Sequence, residues 1–542
     1  MSEVYDYIVV GAGSAGAIVA SRLSEDPRVR VLLLEAGPSH WQRVWTMIPL
    51  GYAKTYYNRK INWMYWSEAN AGLGGRKVYV PRGRVLGGSS SINAMVWSRG
   101  AAEDFDEWAA EGNPGWGWAD VLPAYRRLES HPFGASAWHG DDGPVRISVP
   151  EAGLHPICEA YFAAGREVGF GYNRDLNGAT IEGVGPYQIN AAGRFRQSSA
   201  RAYLDPARGR VNLRIVTGAH ATAIEFDGRR AVGVRYRRGG ADVAARAGRE
   251  VIVSAGAINT PQLLMLSGLG PAGELRRHGI DVVADLPAVG RNLQDHIGYD
   301  IYYRARVATL NSELASFWGQ VKAGLRFMLR GDGILTMSLN QAGGFVRSAP
   351  GRERANLQLY FCPISYEKPQ VGSPKAIAVS PEPAFSLTGS PCRPSSRGRI
   401  ELASADPFAA PLIHANLLGD EADVAEAVEG FHVLRRLAAA PSLAGIIAAE
   451  TKPGSGTTSD ADIADYIRGS AYSIFHPVSS ARMGPDPATA VVDHRLKVHG
   501  IAGLRIIDAS VFPSVTSGNT NAPAMMVAEK GADLVKADAA SG

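Results

Sequence analysis

Gly11-Ala12-Gly13-Ser14-Ala15-Gly16 follows the apolar run Tyr7-Ile8-Val9-Val10 and opens a helical stretch. Glycines at this spacing carry chemistry in that context. The first lets the chain turn, the second lets the backbone approach a pyrophosphate, and the third lets helix and strand pack closely, with the helix N-terminus facing the phosphate charge. Glu35 ends a second apolar run, Val31-Leu32-Leu33-Leu34, 19 positions beyond Gly16. A carboxylate there accepts hydrogen bonds from ribose hydroxyls and disfavours a 2′-phosphate. These residues predict a dinucleotide site that takes FAD or NAD and rejects NADP, and the fingerprint alone does not separate the two. Other chemistries lack their residues. Gly88-Ser89-Ser90-Ser91-Ile92 misses the last glycine of a hydrolase nucleophile elbow. There is no H-E-x-x-H and no Cys/His cluster, so no metal is expected.

The elements that must position these residues fall into regions. Residues 1 to about 36 read strand, glycine turn, helix, strand, and 209–258 reads as several short strands with glycine turns. Between about 300 and 465 the pattern changes to alternating segments, such as 357–361 and 399–402, among proline-rich loops, followed by a helix over 420–437. The chain then returns to glycine turns and a terminal helix over 522–536, which completes the first domain. The reading is an α/β fold. A nucleotide-binding domain of residues 1–155, 195–300 and 466–542 carries a discontinuous substrate domain, antiparallel sheet plus helices, of residues 156–194 and 301–465.

The 542 residues carry 56 basic and 52 acidic side chains, a net charge of +4, with 46% hydrophobic and 20% charged residues. Such a chain folds, and it has no global field for nucleic acid or a highly charged substrate. The 62 glycines suit many tight turns and close backbone approaches. Cys158, Cys362 and Cys392 lie far apart and read as reduced thiols. The start of the chain lacks the pattern of a signal peptide, and no apolar run is long enough to span a membrane, so a cytoplasmic location is expected. Segment 317–329 is apolar with basic residues at helical spacing. The expectation is a helix packed on its own core, the alternative a helix lying on a membrane surface.

Longer motifs make the reading specific. Gly83-Arg84-Val85-Leu86-Gly87-Gly88-Ser89-Ser90-Ser91-Ile92-Asn93-Ala94-Met95 resembles the first signature of the glucose-methanol-choline (GMC) oxidoreductases. Residues 256–270, GAINTPQLLMLSGLG, resemble the second, and residues 289–296, VGRNLQDH, its usual follow-on. His476-Pro477 with Arg482-Met483-Gly484, then Asp508-Ala509-Ser510 and Gly518-Asn519-Thr520-Asn521-Ala522-Pro523, extend the resemblance from residue 6 to about 536.

The resemblance implies a Rossmann-like FAD domain. Gly11, Gly13, Ser14, Ala15, Gly16, Glu35 and Ala36 would serve the ADP half. Arg84, Gly87, Gly88, Asn93, Ala94, Met95 and Val96 would lie near the pyrophosphate, ribitol and ring, joined by Ala221, Asp508, Ala509, Asn519 and Asn521. Some family members hold flavin covalently through a histidine where this chain has Ile92, so dissociable FAD is expected. The terminal helix would point its N-terminus, near Asn521 to Ala524, at the flavin. The resemblance makes His476 the general base and Asn519 its partner for the substrate oxygen, while the other histidines, His296 and His432 included, read as structural. Trp97, Met337, Phe361, Tyr472 and Phe475 are candidate substrate walls. The expected reaction is oxidation of a primary aryl or aliphatic alcohol to aldehyde, with electrons passing to O2, a quinone or another carrier. A hydroxynitrile lyase and a sugar or choline dehydrogenase of the same family are the alternatives, and the oligomeric state is open.

Overall fold

The computed structural model describes residues 3–367 and 378–541. Its first sheet runs in the order Leu213–Thr217, Val31–Glu35, Val4–Val10, Ala241–Val253, Arg230–Arg238, Ala219–Asp227, with Leu504–Ile506 also paired to Ala241–Val253. The members around Val4–Val10 are parallel, while the 219–253 meander is antiparallel. Val31 to Leu34 are all buried, as a parallel strand covered on both faces demands, and each such side chain contributes about 1.5–3 kcal/mol. The helix Gly16–Leu23 packs against the terminal helix Asn521–Ser541, so the two ends of the chain close one core.

The second sheet is antiparallel: Ala342–Val346, Leu357–Cys362, Ala384–Pro391, Ile297–Ala305, Ile447–Lys452, with Tyr472–Ser473 paired to Ile297–Ala305. Segment 357–361 belongs to it as expected. Segment 399–402 does not: Arg399–Glu401 pairs with Leu412–His414 in a separate two-stranded ribbon. The helix expected at 420–437 is Glu421–Ala439, and Asp420 caps it by accepting from the Ala422 amide at 3.0 Å. All three cysteines are buried. Among the described residues, no helix is long and apolar enough to cross a membrane.

One register matters for function. Ile297 pairs with Ser473 and Gly298 with Tyr472, which sets the chain after Ser473 alongside residues 294–296. The Ile474 amide donates to the His296 carbonyl at 3.1 Å, and Gln294 and Val478 bridge backbone to backbone.

Candidate active site

A cavity of about 910 Å³ runs between the two sheets' loops, and both the glycine motif and His476 line it. The three fingerprint glycines have three different surroundings. Gly11 has φ +95°, and a Cβ there would strike Ser254 O at 2.5 Å. A Cβ at Gly16 would strike Gly11 O at 1.9 Å, whereas one at Gly13 would meet only Ser254 O at 4.0 Å and would stand in the open cavity. Gly88 closes on this loop, because a Cβ on it would strike the Gly13 Cα at 2.6 Å. Glu35 accepts from the amides of Ala12 at 3.0 Å and Gly37 at 2.8 Å. Burial pushes its carboxyl up to about 7, against the pull of those two amides. Ser14 donates to the Asn521 side-chain carbonyl at 2.9 Å, tying the glycine loop to the first residue of the terminal helix.

Around His476 the side chains settle one another's protons. His296 Nε2 lies 2.8 Å from the Cys392 carbonyl, which can only accept, so that nitrogen carries the hydrogen and His296 Nδ1 keeps the lone pair. His476 Nδ1, at 3.0 Å from His296 Nδ1, therefore donates, leaving the lone pair of His476 on Nε2. Asn519 Oδ1 accepts from Gln358 Nε2 at 3.2 Å, which turns Asn519 Nδ2 toward His476 Nε2 at 3.0 Å, while the Tyr360 hydroxyl donates to Gln358 Oε1 at 2.8 Å. Burial, with His296 and Arg82 nearby, holds the His476 imidazolium well below its ordinary range, and burial lowers His296 to about 4. The pair is neutral at neutral pH. Asp295 grips the same turn from the other side, accepting from the His476 amide at 2.7 Å and the Ser473 hydroxyl at 2.5 Å.

Residues 5–298 and 394–528 match the family described as GMC oxidoreductase. The chain belongs to the GMC oxidoreductase family. Its relatives include an alcohol dehydrogenase [acceptor] of Pseudomonas putida, 44% identical over 99% of this chain and 97% of that protein. An oxygen-dependent choline dehydrogenase of Burkholderia pseudomallei is 41% identical over 98% of this chain and 94% of that one. Among solved structures, pyridoxine 4-oxidase of Mesorbium loti superposes with a TM-score of 0.88 at 29% identity, covering 98% and 99% of the two chains. The protein is thus an FAD-dependent oxidoreductase, and the open track past Gly13, with Glu35 on its wall, fits that dinucleotide.

With the family established, the predicted residues sort by position. Of the cofactor set, Gly16, Arg84 and Gly87 do not line the cavity. Gly16 packs the helix, Gly87 donates to the Ala12 carbonyl from behind the loop at 2.7 Å, and Arg84 stacks over Trp63. Gly11, Gly13, Ser14, Ala15, Glu35, Ala36, Gly88 and 93–96 line it, as do Ala221, Asp508, Ala509, Asn519 and Asn521.

Of the five substrate candidates, Tyr472 and Phe475 line the cavity and three do not. Phe361 has the wrong parity: on strand Leu357–Cys362 the side chains of Gln358, Tyr360 and Cys362 share the site's face, and Phe361 stacks on Tyr161 behind it. Trp97 donates to Glu129 at 3.2 Å, and Met337 packs in a separate small core.

His296, read as structural from sequence, and Asp295, to which no role was given, both contact His476: His296 meets its ring and Asp295 its backbone amide. Their signal was adjacency within the motif 289–296.

His131, His139 and Asp175 offer metal-like spacing, with ligand atoms within 4.8 Å. His139 and Asp175 are spent on each other instead, and His131 stacks on the His139 ring. His139 bridges Glu129 at 2.7 Å and Asp175 at 2.8 Å, and Arg99 pairs with the same Glu129. Burial opposes charge on His139, but the two carboxylates outweigh it and raise its pKa, giving a closed ion-pair network.

Proposed function

We propose that this protein oxidises a primary alcohol, aryl or aliphatic, to the aldehyde and passes the electrons to a quinone-type carrier or to O2. The observation that carries the reading is the lone pair of His476 Nε2 facing Asn519 Nδ2 across 3.0 Å on the cavity wall. Bound FAD supplies the acceptor for the hydride that leaves the carbinol carbon. His476 Nε2 takes the hydroxyl proton, and Asn519 Nδ2 donates to the oxygen as negative charge builds on it. Because His476 is buried and neutral, it is ready for the proton before substrate arrives. The identity with the Pseudomonas putida alcohol dehydrogenase supports the substrate class.

A cationic alcohol is the second reading. Asp300 lines the cavity, accepting from Thr388 at 2.5 Å and from Tyr302 and Tyr472 at 2.9 Å, a carboxylate ringed by tyrosines of the kind that suits an ammonium group. The likeness to choline dehydrogenases points the same way.

An anaerobic visible spectrum taken with aryl, aliphatic, sugar and amino alcohols decides among these. Bleaching by primary alcohols is expected, bleaching by choline alone selects the second reading, and flavin that no alcohol bleaches sinks both in favour of a lyase. Speed of recolouring in air separates O2 from another acceptor.

FAD is held without a covalent bond in this reading. Ile92, at the position of the linking histidine, is buried against Ile61 and Val85 and has no nucleophilic atom. Denaturation followed by filtration should release all the yellow colour; pigment left on the protein refutes it.

A further inference from the structure

The helix Phe317–Arg330 is amphipathic with its apolar stripe facing the wrong way for a soluble core. Of its 14 residues only Phe327 is buried. Ala323 and Phe327 face the protein: Ala323 packs on the small core around Tyr52, and Phe327 meets Phe195 edge-on. Trp318, Leu325, Met328 and Leu329 recur at helical spacing on the outer side and, with Phe317, are between 47% and 81% exposed. Scattered exposed hydrophobes are ordinary; five in one stripe on one helix form a patch.

Charge says what the patch meets. Every charged residue of this helix is basic: Lys322, Arg326 and Arg330, spaced four apart along the flank of the stripe. Arg326 pairs with Asp332, while Arg194 clamps the helix by donating to the carbonyls of Phe327 and Met328 at 3.1 and 3.0 Å. A second group of exposed apolar side chains, Trp41, Val44 and Trp45, follows through contacts that run from 44–46 to 49–51, to 334–336 and so to the helix. The same connection reaches the cavity. Tyr52, on its wall, accepts from the Leu339 amide at 3.1 Å, and Asn311, just before the helix, donates to the Ser365 carbonyl next to cavity-lining Tyr366.

We propose that this helix, with Trp41 and Trp45, docks the protein on the surface of an anionic lipid bilayer, apolar stripe in the acyl boundary and basic flank among the headgroups. The flank of the cavity is thereby set at the membrane. The test reads lipid binding without substrate, so it stands apart from the alcohol assignment.

Holoenzyme is floated with vesicles of equal parts phosphatidylcholine and phosphatidylglycerol and, in parallel, with phosphatidylcholine alone. Flotation is expected with the mixed vesicles, weaker with the neutral ones and weaker in high salt. The triple variant Phe317→Ser, Trp318→Ser, Leu329→Ser should stay with the unbound protein at unchanged FAD content, and Lys322→Glu with Arg330→Glu should erase the preference for the anionic vesicles. Wild type that floats with neither vesicle, or a triple variant that floats equally well, overturns the proposal. So does a wild-type dimer, seen by light scattering, that binds no lipid and dissociates in the triple variant, which would make a second copy the occupant.

Discussion

The cavity has two differently built regions. Around Gly11, Gly13 and Glu35 it is a backbone surface: a missing Cβ at Gly13, amides held by one carboxylate, and a hydroxyl of Ser14 tied to a helix start. Around His476 it is a chain of side chains from the Cys392 carbonyl through His296 to His476 and on to Asn519, Gln358 and Tyr360, each fixing the next one's hydrogen. The first region spreads binding over many main-chain groups, so most single changes cost it little. The second, in the proposed reaction, concentrates reactivity in one lone pair, so one change should remove it. Binding and chemistry should therefore separate cleanly under mutation.

The largest effect expected is that of His476→Ala. Losing the base should slow flavin reduction by alcohol about 10²–10⁴-fold while FAD remains bound. Anaerobic stopped-flow measures the rate, and the visible spectrum of the same sample measures the FAD. Retained rate in the yellow variant would end the assignment of the base. Gly13→Leu is the converse. Its side chain would fill the cavity where the second fingerprint glycine leaves it open, and FAD binding should weaken at least about tenfold, about 1.4 kcal/mol. Flavin reduction per bound FAD should stay near wild type, because no residue of the histidine region touches that position. If Gly13→Leu slows chemistry as much as it weakens binding, the two regions are not independent.

How much of each region was legible in sequence follows from how far apart its partners lie. The glycine fingerprint and Glu35 are local to one strand-turn-helix-strand, so motif spacing exposes them, and the four strands over 209–258 are equally visible as short runs. His296 sits 180 residues from the ring it orients, and the register Ile297 to Ser473 that joins them leaves no trace in composition. Phe361 was misread because periodicity reveals that a strand alternates but not which parity faces the cavity. Trp97 was misread because its indole N–H serves the buried Glu129 network. Segment 317–329 is legible as a helix, yet its hydrophobic period is the same whether the stripe meets its own core or faces outward; the burial of Phe327 alone shows that it faces outward.

The subtlest effect expected lies within the histidine region and tests whether it works as a chain. In wild type, burial first and then His296 and Arg82 hold the His476 imidazolium well below its ordinary range. The base therefore stays neutral as pH falls through 6.5, the ordinary histidine value the shift starts from, and kcat/KM should hold level there and drop only at lower pH. His296→Phe keeps a ring in place but removes the acceptor for His476 Nδ1–H. Only the Asn519 Nδ2 donor at Nε2 then favours the proton on Nδ1, and a share of molecules carries it on Nε2, where it cannot accept the substrate hydroxyl proton. The expected loss is about tenfold, about 1.4 kcal/mol, smaller than for removal of the base itself. It should be the same at every pH above the acid limb, because a tautomer ratio does not change with pH. A purely structural role for His296 would show as lost FAD or a lower melting temperature with normal reduction of the flavin that remains. Because His296 also helps lower the His476 pKa, the acid limb should move to higher pH in the variant; a loss that still varies with pH above both limbs would mean that the chain of hydrogen bonds is not what orients the base.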